Sequence, residues 1–241
     1  MLDSASLERL VPDELASNDT TGLESLALHI ERYEFAARLL PPGRLLDAGC
    51  GVGYGTRLLV DRSGMATSAL GIDVEPRAIA YARKRYGSPR VDFRADDLLS
   101  FEDRAQFDGV VALEIIEHVH NPKALIDHLL SMLSPGGVLV ASVPTTPSID
   151  LNPYHRHDFT ERSFRRLFNQ SKVLELDLLR QRQSVRIGAL FRRRDGRLRD
   201  VRRGLPFFYL QHPVALLRRL RAFAVHGCAN CYTTIAWEKM R

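Results

Sequence analysis

Cysteine, tryptophan and long apolar runs are all scarce in this chain. Its 241 residues hold three cysteines and one tryptophan. So few cysteines, and an odd number of them, argue against a disulfide framework and imply a reducing, cytoplasmic setting. Cys228 and Cys231 form a single C-x-x-C; a structural zinc takes four ligands and no second pair accompanies them, so they read as ordinary thiols. No apolar run approaches the roughly 18 residues of a transmembrane helix, so none is expected. The opening Met1-Leu2-Asp3-Ser4 has no basic segment followed by an apolar one, so no secretory signal is expected.

Lysine is missing where positive charge is densest. Between Arg186 and Arg221 lie eleven arginines against Asp195 and Asp200, a net charge of +9 in a chain whose total is +5. The basic character therefore belongs to one late segment. No nucleic-acid-binding motif accompanies it, so nucleic acid is not an expected partner.

What is present is enough apolar residue, 45%, for one sizeable core. Residues 1–21 are polar and aperiodic and read as a flexible N-terminal arm. Residues 22–40 place Leu23, Leu26, Ile30, Tyr33 and Ala37 on one helical face. Short apolar runs follow at 44–48, 68–73, 91–94, 107–113 and 137–143, with helical stretches at 54–61, 76–86 and 122–133. That alternation predicts an α/β fold, a doubly wound, mostly parallel sheet with helices on both faces. Asn121-Pro122 opens a helix, a capping residue followed by a first-turn proline. Beyond Val143 a loop at 144–158, a helix at 160–169, a strand at 172–180 and a final strand at 232–239 complete one domain, 22–241. The last strand is expected antiparallel, and the arginine-rich insertion occupies about 184–226.

Leu45-Leu46-Asp47-Ala48-Gly49-Cys50-Gly51-Val52-Gly53-Tyr54-Gly55 ends the first strand and opens a helix. Glycines there let the chain turn sharply and let a ligand approach closely. The dinucleotide fingerprint G-x-G-x-x-G fails in both registers, because its third glycine would be Tyr54 or Thr56. A dehydrogenase is thereby disfavoured. Asp47 suits a cationic ligand better than a pyrophosphate.

These residues resemble class I, Rossmann-like S-adenosylmethionine-dependent methyltransferases, over about residues 29–180. The resemblance implies S-adenosylmethionine as cofactor. It places Asp47, Gly49, Cys50 and Gly51 around its methionine part. Asp73 and Val74 of Gly71-Ile72-Asp73-Val74 follow, with Asp73 on the ribose hydroxyls, two acceptor oxygens for two donors. Asp96 or Asp97 is expected against the adenine amino group, and Leu113 with Glu114 beside the reacting methyl. Glu31, Arg32 and Tyr33 resemble a stretch that closes over the cofactor in some members, and read equally well as a surface helix face.

Two clusters supply titratable groups for the chemistry. Glu114-Ile115-Ile116-Glu117-His118 resembles the E-x-x-E-H of quinone- and sugar-modifying members. Asn152-Pro153-Tyr154-His155-Arg156-His157-Asp158-Phe159 resembles a loop of members that modify saccharides and glycolipids. An alcohol acceptor needs a base, and an imidazole titrates near operating pH. His155 is the expected general base, with Glu117 and His118 beside it and Asp158 capping the next helix. Loop anchoring for His155, and structural hydrogen bonding for Glu117 and His118, stay open. No dedicated metal spacing appears, so no metal ligand is assigned and a divalent ion is not favoured.

The expected function is O-methylation of a saccharide, glycoside or glycolipid precursor, the acceptor being a small molecule, saccharide or anionic. A quinone, phenol or amine acceptor, or a non-catalytic cofactor-binding module, are the alternatives. In the insertion, Leu216, Leu217, Leu220 and Phe223 share a helical face with arginines alongside. That pattern fits a helix packed on the core, a lid clamping an anionic acceptor, or a peripheral membrane contact.

Overall fold

The computed structural model describes residues 10–17, 19–103, 105–184 and 204–241. Seven strands form one sheet in the order β3-β2-β1-β4-β5-β7-β6. They are β1 (Gly43–Ala48), β2 (Ala66–Asp73), β3 (Val91–Ala95), β4 (Phe107–Leu113), β5 (Leu133–Pro144), β6 (Val173–Ser184) and β7 (Ala229–Lys239). β1 to β5 pair in parallel. β7 runs antiparallel to both β5 and β6. The sequence pattern is met, with β6 and β7 each longer than the apolar runs that mark them.

Neighbouring residues on the central strands enter different cores. Leu46, Val110 and Leu139 pack on one face with Phe164 and Trp237. Leu45, Val111 and Val140 pack on the other with Tyr33, Leu59 and Ile79. A parallel sheet buried on both faces needs apolar side chains at successive positions, which is why these strands read as runs rather than alternations. Each such side chain contributes roughly 1.5–3 kcal/mol when fully buried.

The helices that cover the sheet begin where local chemistry starts them. Asn121 accepts the Ala124 N–H at 3.1 Å and Pro122 opens α4 (Pro122–Met132), as expected. Glu75 and Pro76 do the same for α3 (Pro76–Tyr86). Gly53, with φ 87°, turns the chain into α2 (Tyr54–Ser63). For α1 (Thr20–Leu39), Asp19 caps by accepting the Gly22 N–H at 2.8 Å.

The buried face of α1 differs from the expected stripe: it holds Arg32, Tyr33, Phe35, Ala36 and Ala37, while Leu23 is exposed. Only the later half of α1 lies on the sheet core. The loose arm also needs correcting in part. Val11 is fully buried against Val52 and Ala78, and Asp13 pairs with Arg85 at 2.6 Å.

Strand order reverses between β1 and β4, and open α/β sheets bind ligands at such a switch point, beyond the carboxyl ends of the strands. The β1–α2 loop, the end of β2 and the end of β4 all reach that edge. Three further helices complete the described chain: α5 (Glu161–Arg166), α6 (Leu205–Gln211) and α7 (Pro213–His226). Residues 185–203 of the arginine-rich insertion lie outside the described residues.

Candidate active site

The glycine loop is built to leave room. Gly49, Gly51 and Gly53 all have positive φ, at 82°, 55° and 87°. A Cβ on Gly53 would lie 2.6 Å from the Phe93 ring, so that glycine serves packing. At Gly51 nothing lies within 4 Å, so that glycine serves an open space. The N–H groups of Gly49 and Cys50 both donate to the Ile72 carbonyl, at 2.8 and 2.9 Å, fixing the loop to β2. Cys50 itself is buried.

Asp73 stands at the end of β2. Its Oδ2 accepts the Gly51 N–H at 3.0 Å and its Oδ1 accepts the Glu75 N–H at 2.9 Å. A carboxylate oxygen can accept more than one hydrogen bond. Val74, next in the chain, is 73% exposed, an apolar side chain left open beside this carboxylate. Open space over Gly51, an anchored acid and a bare valine form a donor and surface set that fits a nucleoside with a ribose diol.

The other acids are placed less simply. Asp47 is 1% exposed and accepts from Thr56 Oγ1 at 2.6 Å and from Tyr33 Oη at 3.3 Å. Burial pushes its pKa up to about 7, against the pull of those two hydroxyls. It braces the loop from beneath, which corrects the expectation that it faces a cationic ligand. Asp96 pairs with Arg94 at 2.8 Å, and its N–H donates to the Asp73 carbonyl. Asp97 is exposed and accepts the Leu99 N–H at 3.0 Å, closing its own turn. Only Asp96 is drawn toward Asp73.

Leu113 ends β4 and is buried. Glu114 follows with φ 52°, the one non-glycine residue with positive φ among those described. Such a conformation costs on the order of 1–3 kcal/mol and persists where its surroundings hold it. Here Ser142 holds it: Glu114 N–H donates to Ser142 Oγ at 3.1 Å, and that hydroxyl donates to Glu114 Oε1 at 2.7 Å. Arg32, 1% exposed, lies 3.7 Å from the same oxygen. Its Nε donates to Gln181 at 2.6 Å and its guanidinium covers the Tyr232 ring at 4.4 Å. Arg32 and Tyr33 are therefore interior, not a surface face. Ser142, Gln181 and Tyr232 carry no local sequence signal and were not expected at the site.

The two titratable clusters converge. The N–H of Arg156 donates to the Glu117 carbonyl at 2.8 Å, pinning the 152–158 loop to the turn after β4. His118 and His155 meet edge to face with ring centroids 4.6 Å apart. Glu117 is fully buried, with Oε1 3.9 Å from His118 Nε2. His118 Nδ1 faces the Tyr154 carbonyl at 3.3 Å, and a carbonyl only accepts, so the tautomer that makes this bond carries its proton on Nδ1.

His155 Nδ1 faces Ser148 Oγ at 2.7 Å. Burial, with the neighbouring His118, lowers its pKa to about 3, so it stays neutral through the physiological range. That corrects the expectation of an imidazole titrating near neutrality. His157 bonds the Val119 carbonyl at 3.0 Å and anchors the loop. His120 is exposed.

Asp158 accepts the N–H groups of Ser148 and Ile149, at 2.8 and 3.2 Å. Thr160 and Ser163 cap α5 instead, in a reciprocal capping box that leaves Asp158 to close the loop. Glu117, His118 and His155 offer ligand atoms all within 4.8 Å of one another, a set that could also hold a divalent ion. Sequence spacing could not show this, because His155 arrives on a separate loop.

The helix pair α6–α7 is fastened to this loop. Asp150, 2% exposed, accepts from Tyr209 Oη at 2.5 Å and from Arg219 Nε at 2.8 Å. Arg219 also donates to the Pro147 carbonyl at 2.6 Å. Arg219 thus faces inward while Leu217, Leu220 and Phe223 are exposed, which is not the packing of a helix resting on the core through those side chains. The buried carboxylate decides which side of α7 turns in.

Comparison with known proteins matches residues 24–194 to a family described as a methyltransferase domain. The chain is 37% identical over 122 residues to a probable S-adenosylmethionine-dependent methyltransferase of Mycolicibacterium smegmatis, 47% of this chain and 45% of that protein. It is 36% identical over 122 residues to the ubiquinone biosynthesis O-methyltransferase of Xanthomonas campestris, 48% of this chain and 50% of that one. The chain thus spans about half the length of these curated relatives. Among solved structures, the N-methyltransferase NodS of Bradyrhizobium japonicum, in complex with S-adenosyl-L-homocysteine, superposes with a TM-score of 0.60 at 18% identity, over 95% of this chain and 96% of that one. That last likeness speaks to the fold.

Proposed function

Because the chain belongs to the methyltransferase-domain family, we propose that it methylates a hydroxyl group on a saccharide, glycoside or glycolipid precursor. The observation that carries this reading is the Glu117–His118–His155 cluster at the carboxyl edge of the sheet. A hydroxyl acceptor needs its proton removed, and a base there supplies what an amine acceptor would need less.

S-adenosylmethionine supplies the activated methyl group and the leaving group. The loop from Gly49 to Gly53, with Asp73 and Val74, would hold it. Leu113 and the constrained Glu114 would stand at the acceptor side of that cradle. The chain's own work is then alignment and proton transfer.

His118 takes the acceptor proton on Nε2. The Tyr154 carbonyl fixes its tautomer, and the buried Glu117 carboxylate stabilises the imidazolium that forms. His155, whose polar partner is the neutral Ser148 hydroxyl, stays uncharged and orients the acceptor. The base in this reading is thus His118, backed by a carboxylate, and not His155, the choice from sequence.

The test is transfer of one methyl, read by mass, across a panel of sugars, glycosides, phenols and amines. Methylated saccharide hydroxyls support the reading, and a product methylated only on nitrogen overturns it. A phenolic or quinol acceptor is the second reading. What favours it is the 36% identity, over about half of each chain, to a ubiquinone biosynthesis O-methyltransferase.

A further inference from the structure

The helix pair α6–α7 turns apolar side chains outward. Phe207, Leu210, Val214, Leu217, Leu220 and Val225 are each between 56% and 80% exposed. The inward side of α7 instead carries Arg219, held on the buried Asp150. This is no ordinary amphipathic helix resting on a core. Its orientation is set by a salt bridge, and the cost is an apolar surface facing water.

Charge says what would cover that surface. Arg221 is exposed on α7, and Arg218, also exposed, lies 3.7 Å from the Asp158 carboxylate. The chain enters α6 directly from residues 186–203, which carry eight arginines against two aspartates. A second copy of the chain carries the same net positive charge of +5 and would be repelled. A nucleic acid would meet leucine and valine where it needs donors. An anionic bilayer offers both an apolar interior for the leucines and phosphate for the arginines.

We propose that the outward face of α6–α7 docks on an anionic phospholipid surface. The same helices are latched through Asp150 to the 145–158 loop, so docking brings the site's mouth to the lipid–water boundary. The proposal rests on exposure and charge and not on which acceptor is methylated, so either reading can fail alone.

The test is co-sedimentation of the full chain with vesicles of phosphatidylcholine alone or mixed with phosphatidylglycerol, with no cofactor or acceptor present. Binding is expected to the mixed vesicles, weaker to the neutral ones, and weaker again at high salt. The double variant L217E/L220E, at exposed positions, should retain its circular dichroism and melting and bind at least roughly ten-fold less.

Absence of binding by the folded wild type overturns the proposal. So does equal binding by L217E/L220E, which would leave only non-specific arginine attraction. A dimer in solution that L217E/L220E splits would assign the face to a second copy and overturn it as well. Arg221→Glu tests the charged half: a smaller loss, removed by raising the salt, is expected, and an undiminished salt response counts against the arginine contribution.

Discussion

The imidazole rings of His118 and His155 lie 4.6 Å apart at an interplanar angle of 89°, on two segments that meet where His118 Nδ1 faces the carbonyl of Tyr154, 36 residues along the chain. Two imidazoles this close cannot both be charged without mutual repulsion. One has a carboxylate 3.9 Å away and the other a neutral hydroxyl at 2.7 Å. In the proposed function their environments divide the roles, proton acceptor for His118 and neutral partner for His155.

His118→Ala should lower kcat by roughly 10²–10⁴, the range for losing a general base. His155→Ala should cost less, and S-adenosylmethionine affinity should survive both, since neither residue belongs to the glycine cradle. Stopped assays with a hydroxyl acceptor decide this, with calorimetry as the control. Chelator treatment separates proton transfer from metal chemistry at the same three residues. Activity should persist after EDTA; its loss, restored by a divalent ion, would make the cluster a metal site.

His155 also makes an acid-stability prediction. Its folded pKa of about 3 lies below the ordinary 6.5. Between those values the unfolded chain binds a proton that the folded chain refuses, so stability falls as pH drops from about 6.5 toward 3. His155→Asn should flatten that part of the pH dependence in urea unfolding. Parallel curves for variant and wild type would mean that His155 protonates freely in the fold.

Asp47 acts in the opposite sense. Burial raises its pKa from 3.8 to about 7, so the folded chain keeps a proton that the unfolded chain has released. Stability is then lost as pH rises through that interval. Asp47→Asn should recover roughly 2–4 kcal/mol of the difference between acid and mildly alkaline pH. Urea midpoints at the two ends check it. An unchanged slope would show the carboxylate ionised throughout.

Asp73→Ala should weaken S-adenosylmethionine binding by roughly 1–3 kcal/mol, because a charged acceptor is lost. The same carboxylate holds the Gly51 and Glu75 N–H groups, so the loop should loosen too. Calorimetry on a variant of normal melting behaviour reads the first effect. Amide exchange at Gly51 reads the second. Full affinity in a folded variant would remove Asp73 from the cradle.

What was legible in the sequence was whatever local chemistry determines. Gly49 to Gly53, Asn121-Pro122 and the runs buried on both faces each state their conformation within a few residues. The convergence of His118 with His155 was not legible, because it depends on how a loop after β5 is pinned to a turn after β4. Asp158 was misread because Thr160 and Ser163 satisfy the helix end without it. Which side of α7 turns outward was not legible, because both faces of that helix offer apolar residues, and Asp150, 69 residues away in the chain, holds Arg219 inward.

That choice can be tested at Asp150. Burial would raise its pKa, but Arg219 and Tyr209 outweigh burial and hold it below the ordinary 3.8. The stability it contributes is therefore present above about 3.8 and lost as pH falls below it. Asp150→Ala leaves a largely buried guanidinium without its counter-charge, and breaking such a pair costs roughly 3–5 kcal/mol. The helix pair need not unfold the domain to relieve that cost; it can lift away. Trypsin should then cut faster at Arg218, Arg219 and Arg221, while S-adenosylmethionine affinity holds. Acceptor KM should rise, since the 145–158 loop loses its fastening. The paired change D150L/R219M removes both charges together and should restore protection if the defect was the uncompensated arginine. Protection unchanged in Asp150→Ala would mean that α6–α7 is held by its apolar contacts, and that Asp150 does not set which face turns outward.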